Sequence, residues 1–193
     1  FGLEMHLLTP KEAQHLWPLM EIDDVVGAAF LPTDGQANPS DITMALARGA
    51  RMHGATICED TEVLRIEVEA GVIKAVVTVA PDGSEGRIEC EKVVVCGGQW
   101  TRALCATVGV NVPLVPVEHQ YVITEQFTPE VPRNLPTLRD PDRLTYYKEE
   151  VGGLVMGGYE PNPIPWAVAG IPRPFQFQLL ESDFDHFAPI MEL

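Results

Sequence analysis

The sequence lacks both of the glycine-rich motifs that most often hold a nucleotide phosphate. Neither GxGxxG nor GxxxxGK[ST] occurs among the 193 residues, so no dinucleotide-binding or P-loop turn of the usual kind can be assigned. Gly, Pro or charged residues interrupt every apolar stretch well before the roughly 18 residues of a membrane span. No signal peptide is visible either. We therefore expect no membrane segment, and any nucleotide site must be sought in other patterns.

Basic residues and paired cysteines are also scarce. Lys and Arg number 13 against 28 Asp and Glu, which gives a formal net charge of -15. Such a charge repels nucleic acid and anionic lipid, so neither is an expected partner.

The four cysteines form no CxxC pair, and no His stands at zinc-ligand spacing from them. We expect buried free thiols, no metal site and a reducing compartment.

What the sequence does contain is the composition of a folded α/β protein, with 46% hydrophobic and 21% charged residues. Two helix starts can be identified. Thr9 stands three residues before Glu12, a capping box that predicts a helix to about Trp17. Asn38 before Pro39 predicts the cap of a second, amphipathic helix. We expect Gly54 to end that helix and the apolar ATIC after it to form a strand.

Strand patterns dominate the rest of the chain. Residues 61–90 alternate with a period of two and contain two turn signals, which predicts a three-stranded meander. Lys92 is followed by a continuously apolar run to Gly97. Such a run is typical of a strand in a parallel sheet that is buried on both faces. Further strand-like runs cover 114–124, 144–148 and 153–159, followed by a proline-rich connection and a terminal helix. The predicted fold class is α/β with a mixed sheet.

The turn in EKVVVCGGQWTRAL is the first candidate site. Gly97 and Gly98 would let a ligand approach the backbone at the end of a strand, where open α/β sheets bind ligands. The following helix would direct its positive end there. The alternative is a tight turn with no ligand. The pattern alone leaves both open.

Three further segments carry polar or glycine-rich chemistry inside strand patterns. VEHQYVITE places His119 and Tyr121 on one face of a strand, which is typical of a cavity lining, or of a strand with one face in water. In LTYYKEE, Tyr146 and Tyr147 point to opposite sides, so one can pack in the core while the other presents its hydroxyl to a ligand. GGLVMGGYEPNP carries two glycine pairs around an apolar strand, as expected where a ring or another backbone approaches closely.

Taken in order, these segments resemble FAD-dependent amine oxidoreductases of the D-amino-acid-oxidase superfamily, and most closely its dimethylglycine and sarcosine dehydrogenase branch. The resemblance covers nearly the whole chain. The HQY, YY and GGYEPNP elements are specific to that branch. The stretches that carry it are DGQANPSDITMALARGARMHGA, EDTEVLRI, KVVVCGGQWTRAL, PLVPVEHQYVITE, LPTLRDPDRLTYYKEEVGGLVMGGYEPNP and FQLLESDFDHF.

The resemblance implies a role for particular positions. FAD contacts are implied at Val63, Gly97, Gly98 and Trp100. Catalytic roles are implied for His119 and Tyr146, and substrate contacts for Tyr121 and Tyr147. The implied reaction transfers hydride from the N-methyl carbon of dimethylglycine or sarcosine to FAD, and water or tetrahydrofolate captures the product. The electron acceptor is not implied.

The resemblance also implies two interleaved domains. Residues 1–34 and 110–193 would belong to a substrate domain, a mixed sheet with helices on one face, and residues 35–109 to a partial FAD domain. The family's N-terminal GxGxxG region, its flavin-tethering histidine, its C-terminal glycine-rich segment and the appended folate-binding region have no counterpart here. We therefore expect an internal fragment that binds FAD poorly or not at all and has no activity by itself.

Two other functions remain open at this point. The regulatory subunit of pyruvate dehydrogenase phosphatase resembles the same family, so a non-catalytic homologue is the main alternative, although the presence of both His119 and Tyr146 favours the enzyme. A free-standing binding domain that uses the sheet for another ligand is the third. For the enzyme, the expected compartment is the bacterial cytoplasm or the mitochondrial matrix.

Overall fold

The computed structural model describes residues 2–192 and divides the chain into two compact units. The first unit runs to Ile42, resumes from His119 to Pro163 and includes the end of the chain from Glu181. The second runs from Thr43 to Glu118 and from Ile164 to Leu180. Helices combine with antiparallel sheets, which confirms the mixed α/β class. All strand pairs among the described residues are antiparallel.

These divisions differ from the predicted domain boundaries in two respects. The chain changes unit after residues 42 and 118 rather than after 34 and 109, and residues 164–180 group with the second unit. Backbone hydrogen bonds explain that grouping. The N–H of Glu118 donates to the carbonyl of Ile164 at 2.9 Å, and the N–H of Trp166 donates to that of Pro116 at 2.9 Å. The assignment of the units to substrate and FAD domains remains a prediction.

Among the residues that the structure describes, the first unit contains six strands and two complete helices. They are β1 (His6–Leu8), α1 (Pro10–Leu16), β2 (Ala28–Phe30), β6 (Tyr121–Ile123), β7 (Leu138–Asp140), β8 (Thr145–Glu150), β9 (Gly153–Gly158) and α4 (Phe184–Met191). Strands β1 and β2 form a ribbon, and the other four form a sheet in the order β6-β9-β8-β7. The terminal helix was predicted, whereas β1, β2 and β7 were not.

Helices cover one face of this four-stranded sheet. Ile190 of α4 lies against Gly158, with no room for a side chain at that glycine. Trp17, at the end of α1, lies with its ring centroid 6.1 Å from that of Tyr147, and its indole N–H donates to the carbonyl of Pro136 at 2.8 Å. Trp17 and Ile190 are both buried, so the core of the unit lies on this face.

The capping box at the start of α1 is present as predicted. The hydroxyl of Thr9 accepts a hydrogen bond from the N–H of Glu12, and the Glu12 carboxylate accepts one from the N–H of Thr9 at 2.8 Å. Pro10 occupies the first turn, where a missing N–H costs nothing.

We predict that Thr9→Ala lowers the free energy of unfolding by about 1 kcal/mol, because the substitution removes the hydroxyl that caps the helix. Thr9→Ser keeps the hydroxyl and serves as the control, with an unfolding curve close to that of the unsubstituted chain. Urea unfolding measures both. Equal losses in the two variants would show that the cap does not stabilise the unit.

The second unit contains the meander and most of the long helix. Its elements are α2 (Pro39–Met52, which starts in the first unit), β3 (Glu62–Glu69), β4 (Val72–Val79), β5 (Glu85–Glu89), a 3₁₀ turn (Gly98–Trp100) and α3 (Thr101–Ala106). The three strands pair in the order β3-β4-β5, which confirms the predicted meander. The Asn38 cap is also confirmed, since its side-chain oxygen accepts from the N–H groups of Ser40 and Asp41. Gly54 has a φ of +88°, as expected of a helix terminator.

Several predicted features between residues 55 and 124 are wrong. Residues 92–97 form no strand, and Val94 is 85% exposed, because no strand lies beside this run among the described residues. The ATIC segment is not a strand either. The predicted strand 114–124 is reduced to β6 and an isolated bridge between Val117 and Pro165. The four cysteines are free, but only Cys105 is buried, since Cys58 and Cys96 lie in irregular, exposed segments.

Candidate active site

The face of the four-stranded sheet opposite the helices carries the candidate site. Tyr146 of β8 and Tyr121 of β6 both pair with Gly157 of β9, so their side chains rise from the same face. Arg139 of β7 pairs with Tyr146 and therefore shares this face as well. The sheet thus brings two phenols and a guanidinium from β6, β8 and β7 to one face, with Gly157 of β9 between the two phenols.

Gly157 is what allows Tyr146 to lie low over the sheet. A Cβ built on Gly157 would overlap the ring and hydroxyl of Tyr146. The close approach requires a residue without a side chain, which is one reason for glycine inside a strand. The predicted approach of a ring to the GGY segment is therefore present, and the ring is that of Tyr146.

His119 completes the cluster from the segment just before β6. Its Nε2 lies 3.1 Å from the hydroxyl of Tyr146, within hydrogen-bond distance. The ring of Tyr159, which follows β9, stacks near both residues, with its centroid 5.5 Å from that of His119 and 5.9 Å from that of Tyr146. Residues 27 positions apart in the sequence are thus held at contact distance by the sheet.

A carboxylate lies on the other side of the histidine ring. The Nδ1 of His119 is 4.0 Å from Oε2 of Glu160, and the Glu160 side chain is only 7% exposed against 38% for that of His119. The imidazole therefore has the hydroxyl of Tyr146 at one nitrogen and a nearly buried carboxylate facing the other.

The hydroxyl of Tyr146 is held in its protonated form. Burial raises the pKa of Tyr146 above its usual value, and the nearby Tyr159, Tyr121 and Glu160 raise it further by disfavouring a phenolate. Near neutral pH Tyr146 is therefore a neutral phenol that can donate one hydrogen bond and accept others.

Arg139 adds a positive charge to this face. Its guanidinium carbon lies 5.0 Å from the ring centroid of Tyr159, in cation–π geometry. Among the described residues, no carboxylate lies within 4.0 Å of its guanidinium. An exposed guanidinium with only aromatic contact can receive a carboxylate ligand in bidentate geometry.

The structure brings His119, Tyr146 and Tyr121 together but not Tyr147. Tyr147 pairs with Met156, on the face covered by helices, and its ring lies near Trp17. The two neighbouring tyrosines thus point to opposite sides, as their strand position predicts. The predicted substrate contact of Tyr147 has no support from this geometry, because a ring on the helical face is separated from the cluster by the sheet.

The four residues with implied FAD contacts all belong to the second unit. Val63 and Trp100 are partly exposed, and Val63 lies next to an irregularity in the pairing of β3 with β4. Gly98 has a φ of +52°, and the space that a side chain would occupy there is open. The turn therefore presents bare backbone, which fits close contact with a flavin nucleotide.

Sequence reasoning missed three members of the cluster, namely Arg139, Tyr159 and Glu160. Tyr159 and Glu160 lie inside the GGYEPNP segment that drew attention for its glycines, so the polar YE pair after a buried strand was the available signal. Arg139 gave no such signal, because only the pairing of β7 with β8 places it beside Tyr146.

Other kinds of site have no support in the part of the chain that is described. No group of three or more His, Cys, Asp or Glu residues is arranged to hold a metal ion within residues 2–192. Over the same residues, no helix combines the length and apolarity needed to cross a membrane.

Comparison with known proteins shows which family the chain belongs to. The model of the FAD dependent oxidoreductase (DAO) family matches residues 1–192. The chain therefore belongs to the FAD-dependent oxidoreductases of the DAO family.

Relatives in this family include both enzymes and a regulatory protein. Mouse mitochondrial sarcosine dehydrogenase is 35% identical over 192 residues, which is 100% of this chain and 20% of the relative. Mouse mitochondrial dimethylglycine dehydrogenase is 32% identical over 98% of this chain and 22% of its own length. The mouse mitochondrial regulatory subunit of pyruvate dehydrogenase phosphatase is 33% identical over 98% of this chain and 21% of its own. The chain spans about a fifth of the length of these relatives.

A solved structure supports the same fold. The crystal structure of L-proline dehydrogenase from P. horikoshii superposes with a TM-score of 0.72 at 28% identity, over 100% of this chain and 47% of that one. The likeness extends over both units of the chain.

Proposed function

We propose that this chain carries part of the active site of an FAD-dependent oxidoreductase that demethylates N-methylated glycines, either dimethylglycine or sarcosine. The observation that supports this most is the His119–Tyr146 pair, 3.1 Å apart on the open face of the sheet. FAD, when bound, accepts the two electrons that the substrate loses. Val63, Gly97, Gly98 and Trp100 of the second unit would hold part of that cofactor.

The substrate amine must be neutral before it is oxidised, since a protonated nitrogen has no lone pair to drive the loss of hydride from the methyl carbon. The His119–Tyr146 pair can remove that proton. A neutral imidazole accepts a proton near neutral pH, and the protonated phenol of Tyr146 can relay it. The oxidised substrate is an iminium, which water converts to formaldehyde and the demethylated amine.

The substrate carboxylate would bind Arg139. This guanidinium shares the sheet face with Tyr146 and contacts the ring of Tyr159, so a zwitterion can place its carboxylate at Arg139 and its nitrogen at Tyr146. Tyr121, on the same face, would border the space around the amine.

We predict that Arg139→Met in the full-length protein raises KM for sarcosine or dimethylglycine by about tenfold or more, since a charged hydrogen bond to the substrate is lost. We expect kcat to change by a smaller factor than KM. Steady-state kinetics measure both. Arg133→Met, which removes an exposed arginine from the same unit, is the control and leaves KM unchanged. An unchanged KM in Arg139→Met would remove Arg139 from substrate binding.

Formaldehyde release tests the proposed activity. The full-length protein is incubated with sarcosine or dimethylglycine and an artificial electron acceptor. We expect formaldehyde in proportion to the amine consumed. The relative rates would identify the preferred amine, and a protein that carries FAD but releases no formaldehyde from either amine would contradict the proposal.

The second candidate is a regulatory subunit without catalysis. It is favoured by the 33% identity to the pyruvate dehydrogenase phosphatase regulatory subunit, which is close to the identities of the dehydrogenases. The absence of formaldehyde release, combined with binding to a phosphatase, would favour this function. For the enzyme we infer a mitochondrial matrix or bacterial cytoplasmic location.

A further inference from the structure

Glu160 is nearly buried beside the histidine of the site, yet the proposed chemistry gives it no task. Its side chain is 7% exposed, and its carboxylate faces Nδ1 of His119 at 4.0 Å. Its backbone is anchored, since the N–H of the preceding Tyr159 donates to the carbonyl of Leu144 at 2.8 Å. Placing a carboxylate out of water costs free energy unless a charged or polar partner compensates for it.

The charge of this carboxylate favours one of the two neutral tautomers of His119 over the other. An ionised carboxylate only accepts hydrogen bonds, so its charge favours an N–H on the nitrogen that faces it, Nδ1. The other nitrogen, Nε2, then has a free lone pair directed at the hydroxyl of Tyr146, 3.1 Å away. With that tautomer Tyr146 donates to His119, and its oxygen lone pairs remain available for a substrate ammonium.

We propose that Glu160 is a positioning residue for His119, fixing the imidazole as the Nδ1–H tautomer and stabilising its protonated form. The role in catalysis rests on the proposed amine oxidation. One ammonium proton passes to the oxygen of Tyr146 as the Tyr146 hydroxyl proton passes to Nε2 of His119. The amine becomes neutral, Tyr146 returns to a phenol, and the proton remains on an imidazolium beside Glu160.

The surroundings of His119 make Glu160 its main charged neighbour. The hydroxyl of Tyr146 on β8 faces Nε2, and the ring of Tyr159 stacks beside the imidazole. The charged Arg139 on β7 lies over the ring of Tyr159. The side-chain oxygen of Gln120, the residue after His119, accepts a hydrogen bond from the backbone N–H of Asp183.

The test measures the protonation of His119 without any need for activity. Diethyl pyrocarbonate modifies a histidine only while its imidazole is neutral, so the extent of modification against pH, followed by peptide mass spectrometry, gives a midpoint for each histidine of the full-length protein. We expect Glu160→Gln to lower the His119 midpoint by about 0.7 pH unit or more, the effect of removing one charge at 4 Å even at the dielectric constant of water.

Two controls separate this effect from misfolding. The histidines at positions 6, 15, 53 and 186 report on the rest of the chain, and their midpoints should not move. Glu21→Gln removes an exposed carboxylate from the same unit and should leave His119 unchanged. Glu160→Asp keeps the charge, so its His119 midpoint should lie close to that of the unsubstituted protein.

Each outcome decides the assignment. A lowered His119 midpoint in Glu160→Gln, recovered in Glu160→Asp, supports it. An unchanged midpoint, or equal shifts in both variants, overturns it. The proposed function is decided separately, because a shifted midpoint in a protein that oxidises neither amine keeps the Glu160–His119 pair and rejects only the amine chemistry.

Discussion

Replacing His119 with alanine in the full-length protein lowers kcat/KM for sarcosine or dimethylglycine by about 100-fold or more, the usual contribution of a positioned acid–base group. The imidazole is the base nearest the phenol of Tyr146, at 3.1 Å, and its loss leaves the ammonium proton without an acceptor. Steady-state kinetics over a range of pH measure the effect. At high pH, where the free amine is neutral in solution, we expect the deficit to shrink.

His15→Ala is the matched control for this prediction. His15 is an exposed histidine of α1 in the same unit, and its loss should leave kcat/KM unchanged. A loss below about threefold in His119→Ala would remove His119 from the chemistry, since general acid–base groups contribute about 100-fold or more. A deficit that stays constant as the pH rises would point to a structural role instead.

Gly157→Ala should impair catalysis with little loss of stability. A Cβ at this position overlaps the ring and hydroxyl of Tyr146, which must move away from His119. The displaced group is the far end of a side chain on the open face, so the fold can accommodate it. We expect kcat/KM to fall by about 10-fold to 100-fold, since the hydrogen bond of the pair depends on sub-ångström placement.

For the neighbouring Gly158 we expect the opposite, a loss of stability. A Cβ on Gly158 overlaps Ile190, a buried residue of α4 on the helical face. Gly158→Ala should therefore destabilise the unit by about 1–3 kcal/mol, as overpacking of a core does, and lower the unfolding temperature. If both variants lose stability equally, or if Gly157→Ala keeps full activity, the separation of the two faces is wrong.

The parts of the fold that were predicted correctly are held by interactions between residues close together in the sequence. The Thr9 capping box and the Asn38 cap depend on residues two or three positions away, so they can be recognised in the sequence and are present. The meander is similar, because its strands are joined by short turns and pair with their nearest neighbours in the chain.

Predictions that required a distant partner failed. Residues 92–97 have the continuous apolar pattern of a strand buried between two others, but no such neighbours lie beside them among the described residues. The apolar side of α2 illustrates the same limit, since Leu46 remains exposed although its spacing predicts burial. Hydrophobic periodicity identifies a surface suited to burial and does not identify what covers it.

The candidate site also combines residues that a sequence pattern identifies with residues that only the fold brings together. Strand alternation placed Tyr146 and Tyr147 on opposite faces, but only the packing of Trp17 identifies the helical face. His119 and Tyr146 were identified through a family resemblance. Arg139 had no local signal, because only the pairing of β7 with β8 brings it to the cluster. Glu160 lies in the GGYEPNP segment, but only the fold of the chain after β9 shows that its carboxylate faces His119.

The most direct test of the account is the absorbance of the flavin in the purified full-length protein under anaerobic conditions, before and after addition of sarcosine or dimethylglycine. We predict that one of these amines bleaches the flavin band in the unsubstituted protein and that bleaching is at least about 100-fold slower in His119→Ala. A bound flavin that neither amine reduces, or equally fast bleaching in both proteins, would contradict the proposal that this sheet face receives and deprotonates the amine.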